Sequence, residues 1–356
     1  MATTFKTITA NDATNTRTLL HEAIPLTGTI ASGTYSDENI KTFSHGMFES
    51  VFDYPFLSSS ANHIFDITHG YSNTSNLSGT TAHIQNSKKI NVYNQMAAVL
   101  VGHDATGSIQ LFDKDGDIAG GGAKMEEVFF LNFSRLLTKD EIKKDSFRLT
   151  LATGSQAGNL KAMPITLGDY GAASSYLVNS PAGEYGLLYT ASADTLSPVG
   201  QIYYQAGVAV VSASVFMGTT SLKHTAETGS LPYSDLGPGE ASASYQNLAT
   251  GSNIQLLADS IRDRIVDINF NNTVELNSTI YFCRANNNEF NYSANPTYLS
   301  SSQIRVKNTT SDNPVSYITT VGLYSSDNEL LAVAKLSEPL KKDPNTELTI
   351  RVRLDY

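Results

Sequence analysis

"VGLYSSDNELLAVAKL" (Val321–Leu336) reads as two apolar runs around a polar turn. Ser325, Ser326, Asp327 and Asn328 are turn formers, and the flanks "YITTVGLY" (Tyr317–Tyr324) and "ELLAVAKL" (Glu329–Leu336) carry the β-branched and apolar residues of strands. The stretch predicts a β-hairpin with a four-residue loop, "SSDN". Further on, "TELTIRVRLDY" (Thr346–Tyr356) alternates. Leu348, Ile350, Val352 and Leu354 share one face, and Thr349, Arg351 and Arg353 the other. A side-chain period of two marks a strand with one covered face. Its apolar face and its two arginines (Leu348, Ile350, Arg351, Val352, Arg353, Leu354) are the candidate interface, because an unpaired strand edge is a liability alone and a joint in an assembly.

Working outward, the texture from about residue 147 is that of strands. "FRLTLATG", "YGLLYTAS", "GQIYYQAGVAVVSASVF" and "STIYFCRA" are rich in β-branched and aromatic residues and are separated by Gly/Ser/Asn/Pro loops such as "GSLPYSDLGPGEAS". One amphipathic helix interrupts them, "IQLLADSIRDRIV", near 254–266. The first part is mixed. "SDENIKTFSHGMFESVFDYP" has an apolar stripe at Ile40, Phe43, Met47 and Val51 behind a candidate N-cap, Asp37, and predicts a helix. "KKINVYNQMAAVLVG" predicts a second helix, stopped by Gly102. "GSIQLF" and "EEVFFLNF" predict strands, and Thr138 with Glu141 forms a capping-box pattern that predicts a short helix start. The fold expected is α+β, predominantly antiparallel β. A mixed domain spans 1–146, a β-rich sandwich-like domain 147–270, and an antiparallel module 271–356.

Composition narrows the function. Of 356 residues only 16% are charged, below the roughly 25% of globular chains. Ser, Thr, Asn and Gly supply the polarity. The net charge is −10, and no basic run offers phosphate contacts, so no nucleic-acid partner is expected. No run reaches the ~18 apolar residues of a membrane span, and "MATTFKTITA" has no signal-peptide core. Cys283 is the only cysteine, which excludes an intrachain disulfide and fits a reducing compartment. Its neighbours in "IYFCRA" predict a buried, inert thiol.

Candidate chemistry is sparse. "HIFDITHG" spaces His63, Asp66 and His69 by three, which suits a metal on a helix face but not on a strand, where Asp66 points away from both. "DKDGD" offers Asp113, Asp115 and Asp117, the nearest approach to a metal-binding set. Gly116 comes one position early for a calcium loop, and Asp-Gly favours a turn, so no metal or cofactor is expected. "AGGGAK" lacks the spacing of a phosphate loop. His45 and Glu49, four apart on the first predicted helix, form an ordinary surface pair. No nucleophile elbow is present, and the chain is not expected to be an enzyme. A rival enzymatic reading, a glycan hydrolase, needs a carboxylate pair about 5–10 Å apart. Eighteen tyrosines and no tryptophan suit interfaces and also sugar sites.

Long phrases of the chain resemble virion structural proteins of T4-like marine myophages, those of cyanobacteria above all. The resemblance is carried by "LLHEAIPLTGTI", "SHGMFESVFDYPFLSSSANHIFDITHGYS", "KKINVYNQMAAVLVG", "EVFFLNFSRLLTKDEIKKDSFRLTL", "GQIYYQAGVAVVSASVF", "STIYFCRANNNEFNYSANPTYL" and "YITTVGLYSSDNELLAVAKLSEPLKK". The last phrase is also similar to modules of phage tail and baseplate proteins. The resemblance implies a particle component of the tail, baseplate or neck, located in the virion. Its partners would be other copies of itself and other phage structural proteins, in a symmetric homo-oligomer. It brings no catalytic residue. The alternatives are a receptor- or glycan-binding fibre-like module, with "CRANNNEFNYSANPTY" forming a shallow sugar site, or a capsid decoration protein.

Overall fold

The computed structural model describes residues 5–25, 37–79, 82–118, 120–153, 164–193, 196–217, 222–223, 242–262, 264–292, 299–300, 303–304 and 315–356. Antiparallel sheet dominates, with a few helices, so the fold is α+β and mostly antiparallel β. The chain divides into two compact units. The larger is Leu20–Val274. The smaller combines Met1–Leu19 with Glu275–Tyr356.

An eight-stranded antiparallel sheet organises the larger unit. Its spatial order is Ile40–Thr42, Glu49–Phe52, His63–Tyr71, Glu127–Phe133, Val208–Ser212, Gly200–Tyr203, Gly183–Leu188 and Leu177–Ser180. The central strand, "EVFFLNF", is apolar along its length because both faces are covered. Phe129, Leu131 and Phe133 face one core with Phe65, Ile67, Ala209 and Val211. Val128 and Phe130 face a second core with Val208, Val210, Tyr203 and residues of the helix Asn86–Leu100. Strand side chains alternate between faces, so one run of sequence feeds two cores. The first core is closed by a second sheet, in which Arg148–Ala152 pairs with Pro164–Gly168 and with residues 265–269. The result is sandwich-like. The helix Ile254–Arg262, shorter than the expected 254–266, adds Leu257 and Ile261 to that core.

The helix Asn86–Leu100 sits close on the sheet because position 70 has no side chain. A Cβ on Gly70 would lie 2.8 Å from both the Lys89 carbonyl and the Tyr93 nitrogen.

Four expectations are corrected. The helix expected across Ile40, Phe43, Met47 and Val51 is a hairpin instead: Ile40 pairs with Val51 and Thr42 with Glu49, across a turn where Gly46 takes φ +65°. Cross-strand core partners at Ile40 and Val51 imitated a helical stripe, and the left-handed glycine ends any helix. The helix near Thr138 ends there instead of starting. It spans Arg135–Thr138, Lys139 takes φ +56°, and Glu141–Ile142 pairs as a strand with Asn272 and Thr273. Burial of Ile142 outweighs the capping pattern. "GSIQLF" is a loop with one bridge, His103 to Ile109, and delivers Phe112 to the second core. The change of texture near 147 is not a break in the fold, because Glu127–Phe133 and Val208–Ser212 pair directly, with Phe130 opposite Val210. Much of "GSLPYSDLGPGEAS" and the end of "CRANNNEFNYSANPTY" lie outside the described residues.

Candidate interaction surface

His63, Asp66 and His69 lie on one strand, His63–Tyr71, and divide between two environments. Val51 pairs with Phe65 and Phe52 with His63, so Ile64 is an extra residue. This bulge carries His63 to the face of Asp66. His63 Nε2 lies 2.8 Å from Asp66 Oδ1, and Ser50 donates to the same oxygen at 2.5 Å. His69 faces the core, fully buried, with Nε2 2.8 Å from the Tyr245 hydroxyl. Its Nδ1 has no partner among the described residues. Burial, then the charge of Lys89, holds the His69 pKa well below the usual imidazole value, so the ring is neutral. One carboxylate shared by a serine and a histidine on one side, and a dry imidazole on the other, do not converge on a ligand.

The Asp113 turn already holds a cation, the ammonium of Lys124. Lys124 Nζ donates to the buried Asp113 carboxylate, to the Gly120 carbonyl at 3.0 Å and to the Ile118 carbonyl at 3.4 Å. Asp113 Oδ1 accepts the backbone N–H groups of Asp115 and Gly116, while Asp117 accepts from Gly120. Burial, then the neighbouring Asp115, raises the Asp113 pKa against the pull of Lys124. Among the described residues, no group of three or more His, Cys, Asp or Glu side chains is placed to hold a metal. His45 and Glu49 do not share a helix face. His45 is exposed and stacks on Phe43 at 5.1 Å, and Glu49 is buried on its strand.

Two buried charges brace the larger unit. Lys89 is fully buried on the helix Asn86–Leu100, and its ammonium donates to the carbonyls of Ile84 (2.9 Å), Ala249 (2.6 Å) and Ser252 (2.7 Å). Ala249 and Ser252 end the helix Tyr245–Gly251, where carbonyls lack helical partners and a cation is favoured. Burial lowers the Lys89 pKa to about 8. Asp169, also fully buried, accepts from four donors: Tyr204 Oη (3.0 Å), Arg148 Nη1 (2.9 Å), and the backbone N–H groups of Asp145 (2.7 Å) and Phe147 (3.0 Å). It fixes the 145–148 turn. Burial raises its pKa to about 6, against those four partners.

In the smaller unit, the terminal strand Leu348–Asp355 pairs antiparallel with the long strand Ile265–Ala285 from Ser278↔Asp355 to Ala285↔Leu348. Leu348, Ile350, Val352 and Leu354 are half-buried, and Arg351 and Arg353 are exposed, as the alternation predicted. Among the described residues this is the strand's one partner, and its other edge carries no strand. Cys283, opposite Ile350, is half-buried, and burial, then Asp12, raises its pKa.

The hairpin is Ser316–Tyr324 with Leu330–Lys342, in register at Val321↔Ala334 and Leu323↔Ala332. Ser325 organises its turn by accepting at Oγ from Asp327 and Glu329, and Asn328 takes φ +62°. Ile318, Val321, Ala334 and Leu336 are the inner, half-buried row. Outside that row two more apolar side chains stand exposed, Leu331 at 67% and Val333 at 52%, alongside the exposed Lys335. A two-stranded ribbon needs only one covered apolar face, so Leu331 and Val333 are apolar surface beyond that need. The hairpin base is pinned by the buried Lys342, whose ammonium donates to Asn291 Oδ1 (2.7 Å) and to the carbonyls of Asp343 (2.9 Å) and Asn287 (3.2 Å).

Sequence reasoning missed Lys89, Lys342 and Asp169, because the pairs Lys88–Lys89 and Lys341–Lys342 and the turn at Gly168–Asp169 look solvated in one dimension. Lys89 left one trace, its neighbours Ile90, Val92 and Tyr93 in a stripe that wraps past it. No known protein family, no curated protein and no solved structure matches this chain.

Proposed function

We propose that the protein is a structural component of a contractile-tailed bacteriophage particle, in the tail-baseplate or neck region, acting by self- and hetero-association. The observation that carries the reading is the pair of exposed apolar side chains on the 316–342 hairpin, Leu331 and Val333. Among the described residues the other edge of Leu348–Asp355 pairs with no strand, and it offers backbone N–H and C=O groups to a further one. The phrase-level resemblance to myophage virion proteins supports the same reading. Interfaces of ~2,000 Å² or more are expected for such permanent contacts.

The test is incorporation. Removing residues 343–356 blocks it on this account, but also strips a strand from the chain's own sheet. Leu331→Asp with Val333→Asp is the cleaner perturbation, since both side chains face outward in the isolated chain. The double variant is expected to keep its circular dichroism and melting point and to be missing from purified particles. Normal copy number of the double variant would sink the proposal.

A further inference from the structure

The smaller unit contains a groove of about 760 Å³, within the range of small-ligand sites. Five of the eight exposed Phe and Tyr side chains among the described residues line it: Phe5, Phe290, Tyr292, Tyr317 and Tyr324. Each is between 43% and 54% exposed. The aromatic rings are set on a braced frame. Lys342 ties down Asn287 and Asn291, on either side of Phe290, and Ser316 donates to the Phe290 carbonyl. Phe5 packs against Tyr324 with ring centroids 4.7 Å apart.

The polar groups of the groove are also fixed. Asp12 and Arg284 form an ion pair at 2.7 Å, and Lys6 is paired with Glu289. Both cations are therefore neutralised locally. That disfavours a single-stranded nucleic acid, which needs stacking faces in a positive groove. A protein partner needs about 800 Å² of contact surface on each side, more than a ligand-sized depression offers. A pyranose fits both features: its C–H face lies on an aromatic ring, while its hydroxyls bond ionised and backbone groups at the edge.

We infer that this groove, with Tyr292 and Tyr317 as its stacking platforms, binds an oligosaccharide. The inference does not rest on the assembly reading, because Leu331 and Val333 lie outside the groove.

The test is a printed array of bacterial lipopolysaccharides and of neutral and acidic oligosaccharides, probed with the full chain and confirmed by saturation-transfer NMR. Binding to at least one saccharide is expected. Tyr292→Ala and Tyr317→Ala should each weaken it about tenfold with no change in melting point, since both rings are largely exposed. Leu331→Asp should leave it unchanged. No binding across the array, or full binding by both tyrosine variants, would overturn the inference. Loss of sugar binding in Leu331→Asp alone would move the site out of the groove and overturn it as well.

Discussion

Asp169 gives a quantitative test of how the larger unit is held. Its carboxylate is fully buried, and its pKa rises from the ordinary 3.8 to about 6. A raised carboxylate pKa means that the folded chain binds the proton more tightly than the unfolded chain. Stability linked to this group is therefore fully present below pH ~4 and lost as pH climbs through ~6. At ~1.4 kcal/mol for each pH unit between the two values, the window holds ~3 kcal/mol. Asp169→Asn removes the titration while keeping the shape. Urea unfolding of both proteins at pH 3.5, 5 and 7 isolates the effect, because other carboxylates cancel in the difference. The wild-type advantage over the variant should be ~3 kcal/mol larger at pH 3.5 than at pH 7. A difference that does not vary with pH would show that the four donors around Asp169 fully offset its burial, and the reasoning would fail.

His69 predicts the opposite slope. Its depressed pKa makes the unfolded chain the better proton binder below about pH 6.5, so its contribution is complete above that pH and falls by up to ~1.4 kcal/mol per unit on acidification. His69→Gln should flatten the acid limb of the stability curve, and an unchanged limb counts against a dry, neutral ring. Lys124→Met leaves the buried Asp113 carboxylate without its cation and should cost ~3 kcal/mol or more. Asp113→Asn with Lys124→Met should cost less than the two single changes together, and strict additivity in chemical denaturation would argue against the pair. Gly70→Ala drives a methyl into the Lys89–Tyr93 backbone and should lower stability by ~1–3 kcal/mol, read as a drop in melting temperature.

The strand half of the fold was legible where a single period operated without interruption. The 317–336 hairpin and the Leu348–Asp355 alternation came straight from a repeat of two, and the Asn86–Leu100 helix from a sustained helical stripe. Legibility failed where cross-strand pairing imitated helical spacing, at Ile40 and Val51, and where a cap pattern competed with the burial of Ile142. At the polar sites, spacing in sequence misled for a physical reason. A one-residue bulge at Ile64 brought His63 onto the face of Asp66, which no periodicity announces. The lysine that fills the Asp113 turn arrives from the far side of a glycine-rich loop, so the acidic cluster looked empty in one dimension. The aromatic groove gathers residues from positions 5 to 350; several of the stretches that line it, Tyr317–Tyr324 among them, were singled out as strands, but no periodicity announced that Phe5, Phe290, Tyr292, Tyr317 and Tyr324 would meet.

Whether this chain works by being held among other subunits is settled most directly by imaging intact particles. Cryo-electron microscopy of the purified virion should find the chain in a fixed copy number at symmetric positions. Leu331 and Val333 should be buried there, and the outer edge of Leu348–Asp355 paired with a neighbour. Particles that lack the chain, or that display this hairpin face bare to solvent, would contradict the account.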